Sequence, residues 1–247
     1  GYIKINGKFF IPISIHLPLN FADVQAKGFN TVVTGGDDPR NPNWIEENRK
    51  MLDDAQKHNL KVMLHLCNLF RGDNQDYESL KLVVAELKNH PALFGWYTAD
   101  EPSAGVSDIR LETAYKIAKE IDKNHPVIVL DNVPMRFKIL APYCDIFASD
   151  PYPIPSSPLD MVADWTKITL AASKNKCLII CLQGQGAPFN VRHATFEEQK
   201  TMLKYALENG AKGISWWAHG PMTESGYWNR YNELTKEAEN YILKNAK

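Results

Sequence analysis

Eight times along this chain a short apolar run gives way to a polar corner and then to a stretch of helical period. The runs are Ile13–His16, Phe29–Thr34, Leu60–Cys67, Phe94–Glu101, Val127–Leu130, Asp145–Ser149, Cys177–Leu182 and Ile214–Trp217. Helical spacing of apolar residues marks Phe21–Lys27, Trp44–His58, Ser79–Lys88, Ile109–Ile121, Leu159–Ser173, Thr195–Glu208 and Tyr231–Lys244, with at most a short helix over Met135–Leu140. Thr195-Phe196-Glu197-Glu198 has the pattern of a capping box, and Asn209-Gly210 closes that helix. Alternating strands and helices imply a parallel sheet, and eight equal units imply α/β architecture closed as a (β/α)8 TIM barrel. The rival, an open doubly wound sheet, calls for a Gly-rich phosphate loop after the first strand, and none is present. Before that strand, Tyr2–Ile5 and Lys8–Ile11 flank Asn6-Gly7, the signal of a short N-terminal β-hairpin. No linker or charge block interrupts the rhythm, so one barrel domain over residues 1–247 is expected.

Composition narrows the partners. Hydrophobic residues make up 44% of the chain, enough for a sizeable core. Lys+Arg number 28 against 29 Asp+Glu, with no basic block, so neither nucleic acid nor an anionic membrane surface is the expected partner. No apolar run is long enough for a membrane span. Cys67, Cys144, Cys177 and Cys181 lie in or beside apolar runs without zinc-type spacing, and are expected as buried free thiols. The chain starts at Gly1-Tyr2 without methionine; removal of a preceding segment is expected, and a signal peptide there would make the protein secreted or periplasmic.

In a (β/α)8 barrel the carboxyl ends of the strands converge on one face and carry the site. Those ends are His16, Thr34 with Asp37, His65 to Asn68, Asp100 with Glu101, Asp131, Asp150 with Tyr152, Gln183, and Trp216 with Trp217. The strand bodies are apolar, whereas these ends are polar or aromatic. Individually each has a plain alternative: His65 as a core histidine, Asp150 as turn chemistry before Pro151, the two tryptophans as packing bulk. The strongest single signal is Phe94-Gly95-Trp96-Tyr97-Thr98-Ala99-Asp100-Glu101-Pro102, a buried strand stopped by proline immediately after two carboxylates. Two adjacent carboxylates at such a place need hydrogen bonds, a cation or a shared proton. The plain alternative is an acidic cap on the following helix.

These residues carry a resemblance. The chain resembles the (β/α)8 glycoside hydrolases, closest to the large retaining clan of β-galactosidases, β-glucanases and β-mannanases, whose fourth strand ends Asn-Glu-Pro. The matching stretch here is Asp100-Glu101-Pro102, and the resemblance implies that Glu101 is the acid/base. Asn6-Gly7-Lys8-Phe9-Phe10 is similar to the approach to the first strand in those enzymes, and Trp216 or Trp217 matches the tryptophan that floors their sugar site. The departure is at the end of the seventh strand, where the clan carries its glutamate nucleophile and this chain has Leu182-Gln183-Gly184-Gln185. An amide is a poor nucleophile and offers no charge to an oxocarbenium-like transition state.

Three readings accommodate that departure. Asp150, Asp131 or Glu224 serves as nucleophile or as base for attack by water. Alternatively, Asp100-Glu101 resembles the Asp-Glu pair of retaining hexosaminidases, in which the substrate's acetamido group is the nucleophile and the aspartate orients it. In the third, the barrel binds sugar without cleaving it. The expectation is a glycosidic-bond hydrolase with Glu101 as general acid and Asp100 and Asp150 as its catalytic partners. Aromatic walls from Trp96, Tyr97 and Trp217 enclose the acid. His16, His65, Asn68, Tyr97, Asp131, Tyr152, Gln183, Trp216 and Trp217 bind the carbohydrate. This scheme calls for no metal or organic cofactor; a metal-dependent hydrolase using His16, His65 and Asp150 is a weaker reading without the usual paired-histidine spacing.

Overall fold

The structure, a computed structural model, describes residues 2–5, 7–72, 74–174, 176–184 and 192–246. A hairpin comes first: β1 (Ile3–Ile5) and β2 (Lys8–Phe10) pair antiparallel, with Ile5 opposite Lys8. Gly7 supplies the left-handed φ of +76° that the turn requires, while its partner Asn6 lies outside the described residues.

The barrel follows as β3 (Ile13–His16), α1 (Phe21–Ala26), β4 (Thr31–Thr34), α2 (Trp44–Lys57), β5 (Lys61–His65), α3 (Tyr77–Leu87), β6 (Leu93–Asp100) and α4 (Asp108–Ile121). Its second half is β7 (Val127–Asp131), α5 (Phe137–Leu140), β8 (Ile146–Ser149), α6 (Met161–Ser173), β9 (Cys177–Gln183), α7 (Phe196–Glu208), β10 (Gly213–Trp217), α8 (His219–Thr223) and α9 (Tyr231–Asn245). Strands β3 to β10 are parallel and close with β10 against β3. The eight units read from the sequence are therefore the eight barrel units. The short helix α8 was not foreseen. Thr195 forms the expected capping box with Glu198 at the start of α7.

The strands are apolar on both faces because both are buried, one against the helices and one inside the barrel. The inner set, including Val33, Met63, Phe94, Ile128, Ile146 and Ile179, forms a cluster of its own. The hairpin plugs it from the amino-terminal end through Ile3, Ile5 and Phe10, whose ring lies 5.5 Å from that of Phe94. With that end stoppered, access is from the carboxyl-terminal mouth.

All four cysteines are buried and unpaired. Thiol titration of the denatured protein without reductant is expected to find four free groups and the native protein to react slowly at all of them. Two or fewer groups in the denatured chain would contradict this arrangement.

Candidate active site

The site is built on β6, and a register irregularity decides which residues reach it. Tyr97 pairs with Ile128 and Ala99 with Val129, so Thr98 is an extra residue in the β6 edge facing β7. Side chains alternate along a strand, and one extra residue reverses the parity beyond it. Tyr97 points into the barrel, Ala99 joins the outer cluster with Leu111 and Val129, and Asp100 turns back inward beside Tyr97. The Tyr97 hydroxyl donates to Asp100 Oδ1 at 2.9 Å. Without the bulge, Ala99 would occupy the mouth and Asp100 would face the helices.

Glu101 extends the ladder by one bond, its N–H donating to the Leu130 carbonyl at 2.8 Å, and then takes left-handed backbone angles of φ 49° and ψ 53°. A non-glycine residue held there costs of order 1 kcal/mol and is retained where the surroundings enforce it. The turn starting at Pro102 follows directly. Asp131, at the end of β7, secures that turn: its carboxylate accepts from the Ser103 N–H at 3.0 Å, the Ser103 hydroxyl at 2.7 Å and the Val133 N–H at 3.2 Å.

Asp150 follows the end of β8 and is only 3% exposed. Its Oδ1 has no hydrogen-bond partner among the described residues, and the carboxyl group of Glu101 lies close enough to act on it. Burial, then the charge and hydrogen bonding of Glu101, then the charges of Asp100 and Asp131, hold the Asp150 carboxyl well above the usual carboxylate range. Carboxyl groups from three successive strands thus converge, and this setting favours the protonated form of Asp150. Two carboxyl groups sharing a proton are the arrangement that lets one donate while the other accepts.

Around this pair the layers are distinct. Beneath it, the buried His16 ring meets Tyr97 edge-on at 5.9 Å, with Nε2 3.8 Å from the Cys181 thiol. Burial lowers the His16 pKa to about 4, so the imidazole is neutral. Tyr152 reaches the same thiol at 3.6 Å and faces Trp217 with ring centroids 6.5 Å apart. On the other side His65 stacks on Tyr97 at 5.7 Å and its Nδ1 lies 3.1 Å from Asp37 Oδ2. Asp37 also accepts from the Asn68 N–H at 2.6 Å and side-chain amide at 2.8 Å. These bonds outweigh its burial and keep its carboxyl below the usual range.

Several sequence expectations are corrected here. Trp216 is fully buried on the helix side of β10, edge-on to Phe29 at 5.8 Å, with its indole N–H donating to Gln199 Oε1 at 3.1 Å. It does not reach the mouth; Trp217, next along the strand, does. Trp96 likewise faces outward and donates to Asp122 at 3.0 Å, so it is no wall of the acid. Asp131 is spent on the Ser103 turn, His16 lies in the floor, and Glu224 is exposed at the end of α8. Among the described residues no three His, Cys, Asp or Glu side chains converge as a metal site.

Gln183 stands where the resembled clan carries its nucleophile, and it has a structural task. Its Oε1 accepts from the Ile154 N–H and its Nε2 donates to the Ile154 carbonyl, both at 2.9 Å. This two-way clamp ties β9 to the segment after Asp150 and Tyr152, and only an amide can make both bonds. Gln185 lies outside the described residues. Gln183→Glu is therefore expected to lower the melting temperature at neutral pH, because a buried carboxylate would oppose the Ile154 carbonyl at a cost of roughly 1–3 kcal/mol. An unchanged or raised melting temperature would contradict the clamp.

Arg71 is the group that a reading of strand ends misses, whereas Asp37 is named among those ends but given no role. Asp37 lies past the end of β4 and Arg71 past the turn that follows β5; only the closed fold brings them to the mouth, where Arg71 Nη2 donates to the Asp100 carbonyl at 3.4 Å.

No protein-family model matches the chain, and no curated protein matches it in sequence. Solved structures do share its architecture. The GH99 endo-alpha-mannosidase from Bacteroides thetaiotaomicron superposes with a TM-score of 0.68 at 17% identity, over 90% of this chain and 78% of that one. The endo-beta-1,4-mannanase from Thermotoga petrophila gives 0.65 at 14% identity, over 95% and 78%. A GH18 chitinase from Pseudoalteromonas aurantia gives 0.65 at 11%, over 90% and 99%. The likeness is one of fold. These three neighbours are glycosidases by name, and a fold shared at such identities leaves the chemistry to be argued from the site.

Proposed function

We propose that the protein is a glycoside hydrolase acting on an oligo- or polysaccharide, with Glu101 presenting the proton to the glycosidic oxygen and Asp150 supplying it from behind. The observation that carries this reading is the buried Asp150 carboxyl set against Glu101 at the open end of the barrel, with an Oδ1 that has no hydrogen-bond partner among the described residues. Tyr152 and Trp217 beside it offer aromatic faces for a sugar ring. The fold neighbours, among them mannanase, mannosidase and chitinase, support the same substrate class.

In this scheme Asp150, whose protonated form its burial favours, holds the proton beside Glu101. As the bond from the anomeric carbon to the leaving oxygen breaks, that proton passes through Glu101 to the leaving alcohol. Both carboxylates are then ionised beside the developing oxocarbenium charge, which they stabilise. Attack by water forms the new C–O bond, and the water's second proton returns to the pair. The sequence balances without a protein nucleophile on β9. His65, oriented by Asp37, and Tyr152 are the sugar-binding groups in this scheme. Asn68 acts through Asp37, and Gln183, Asp131 and His16 support the site from outside it.

The Tyr97–Asp100 hydrogen bond favours a second reading. It fixes Asp100 next to Glu101, as a residue that orients a substrate acetamido group must be fixed. In that case the protein cleaves N-acetylated sugars with the acetamido oxygen as nucleophile.

The test is incubation of the purified protein with p-nitrophenyl glycosides of neutral and N-acetylated sugars and with neutral and chitin-type oligosaccharides, reading nitrophenolate and new reducing ends. Release from one of these classes supports hydrolysis and chooses between the two readings. Binding without release from any would overturn hydrolysis and leave a sugar-binding barrel.

A further inference from the structure

At the end of the barrel opposite the carboxyl groups, a cavity of about 520 Å3 opens between the N-terminal hairpin and the starts of β5 and β6. Its size is within the roughly 300–1,000 Å3 range of small-molecule sites. The ionisable residues that line it are Lys4 on β1, Lys61 at the start of β5, Lys88 and His90 after α3, and His125 before β7. Among the described residues no Asp or Glu lines it. Across the chain Lys+Arg number 28 against 29 Asp+Glu, so a cavity walled by cations alone departs from the overall balance.

The positive charge there is only partly offset. The Lys61 ammonium donates to the Pro91 carbonyl and the Lys88 ammonium to the Ile121 carbonyl at 3.2 Å. Neutral carbonyls fix both groups in place and leave further N–H donors on each. The Lys4 ammonium lies 5.2 Å from the centre of the Phe9 ring, again without a carboxylate. Asp122 and Asp53, the carboxylates that meet the lining, are taken by its histidines: His125 Nδ1 lies 2.7 Å from Asp122, and His90 Nε2 lies 3.1 Å from Asp53. The carboxyl ends of α3 and α4 face this side, each equivalent to about half a negative charge. Roughly two of the three ammonium charges therefore stand unopposed. Burial lowers the Lys61 pKa, a penalty that an anion in the cavity would relieve.

We propose that this cavity binds a phosphate ester of small-molecule size, such as a sugar phosphate or a mononucleotide, with Lys61 and Lys88 holding the phosphate and Lys4 contributing from the hairpin. Ammonium groups act as point charges and suit a tetrahedral dianion, whereas no guanidinium lines the cavity to grip a planar carboxylate through two bonds. Pro91, Pro126 and Phe94 offer apolar surface to the organic part, and Asn89 and Asn124 offer amides. A concave site of this volume takes a small molecule rather than a nucleic-acid strand, for which the chain has no basic block. The site is remote from Glu101 and stands whether or not the protein cleaves glycosides. Lys4 belongs to the hairpin and Lys61 and Lys88 to the barrel wall, so the bound phosphate ties the two together and stabilises the fold by mass action.

The experiment is titration calorimetry on the whole chain at one fixed ionic strength, with glucose 6-phosphate, adenosine monophosphate, inorganic phosphate, sulfate, citrate, and unphosphorylated glucose and adenosine as probes. At least one of the two esters is expected to bind with Kd below about 1 mM. It should bind at least roughly tenfold more tightly than its unphosphorylated form, the scale of one charged hydrogen bond, and should raise the melting temperature. Whichever ester binds supports the site and identifies the organic part. Lys61→Gln and Lys88→Gln should each weaken that binding by roughly 10-fold or more, on the same scale. Lys4→Gln, at an exposed position that the fold does not depend on, should weaken it by a smaller factor and keeps the test decisive if either of the others is unstable. Lys200→Gln, which removes a lysine of α7 paired with Glu197, should leave it unchanged. Failure of both esters to bind below that concentration would overturn the site. So would unchanged affinity in the three cavity variants, an equal loss in Lys200→Gln, or inorganic phosphate, sulfate or citrate binding as tightly as the better ester.

Discussion

Replacing Glu101 by glutamine is expected to lower kcat on an unactivated glycoside by roughly 10²- to 10⁴-fold, the usual scale for a positioned general acid–base group. Glutamine keeps the volume and adopts the left-handed backbone no more readily than glutamate, so the fold around φ 49° should persist. Its amide oxygen still accepts from the Asp150 carboxyl, but the chain can no longer pass a proton to the leaving oxygen. The loss should therefore depend on the leaving group. A nitrophenyl glycoside departs as a stable anion and needs little protonation, so the deficit there should be much smaller than for a sugar leaving group. KM should change little, because the interaction removed is made in the transition state. Undiminished turnover of a natural oligosaccharide by Glu101→Gln would remove the group on which the proposed mechanism depends.

The alternation of strands and helices was legible because each unit is punctuated by its own chemistry: Gly28 after α1, His90-Pro91 after α3, the Thr195 capping box before α7. Gly28 shows how local and tertiary demands coincide. It takes φ +83°, and a Cβ there would come within 2.6 Å of the Thr235 hydroxyl on α9. Which strand end faces the mouth was less legible. Barrel strands are buried on both faces, so hydrophobicity carries no parity, and Trp216 and Trp217 are equivalent until the barrel is closed. The pairing of β10 with β9, Trp216 opposite Leu182 and Trp217 opposite Gln183, then sets one tryptophan among the helices and the other over the interior.

The same ambiguity bears on the carboxylates. Asp100 and Glu101 were conspicuous as neighbours, yet the structure couples Glu101 to Asp150, two strands away. No spacing in the sequence announces that contact; it follows from strand order and from the bulge at Thr98. Gln183 is the converse case. Its departure from the resembled pattern was visible, and its bonds to Ile154 became visible only once the segment after β8 folded back over β9. Reading strand ends finds the chemistry that reaches the mouth and cannot tell it from the chemistry that holds the mouth open.

Asp150→Asn is expected to make the protein more stable at neutral pH and less active at once. Asp150 keeps its proton in the folded protein to a pH well above that at which an unfolded aspartate releases it. Below the unfolded pKa both states are protonated and the residue costs nothing. As pH rises toward the folded pKa, the unfolded chain ionises while the folded one does not, and each pH unit in that window removes about 1.4 kcal/mol of stability. Asparagine does not titrate, fills the same space, and can still donate from its amide to the Glu101 carboxylate. The variant should melt at least roughly 2–4 °C higher than wild type at pH 7, the shift expected of about 1 kcal/mol in a domain of this size. The two proteins should melt together near pH 3.5. Turnover should fall by roughly 10²-fold or more, because the proton that replenishes Glu101 is gone. A functional site that holds a destabilising group is the trade that such a gain would reveal. Melting curves across pH 3.5–8 decide it: a variant less stable at pH 7 than wild type would mean that Asp150 is an ordinary ionised carboxylate, and the shared proton would have to be abandoned.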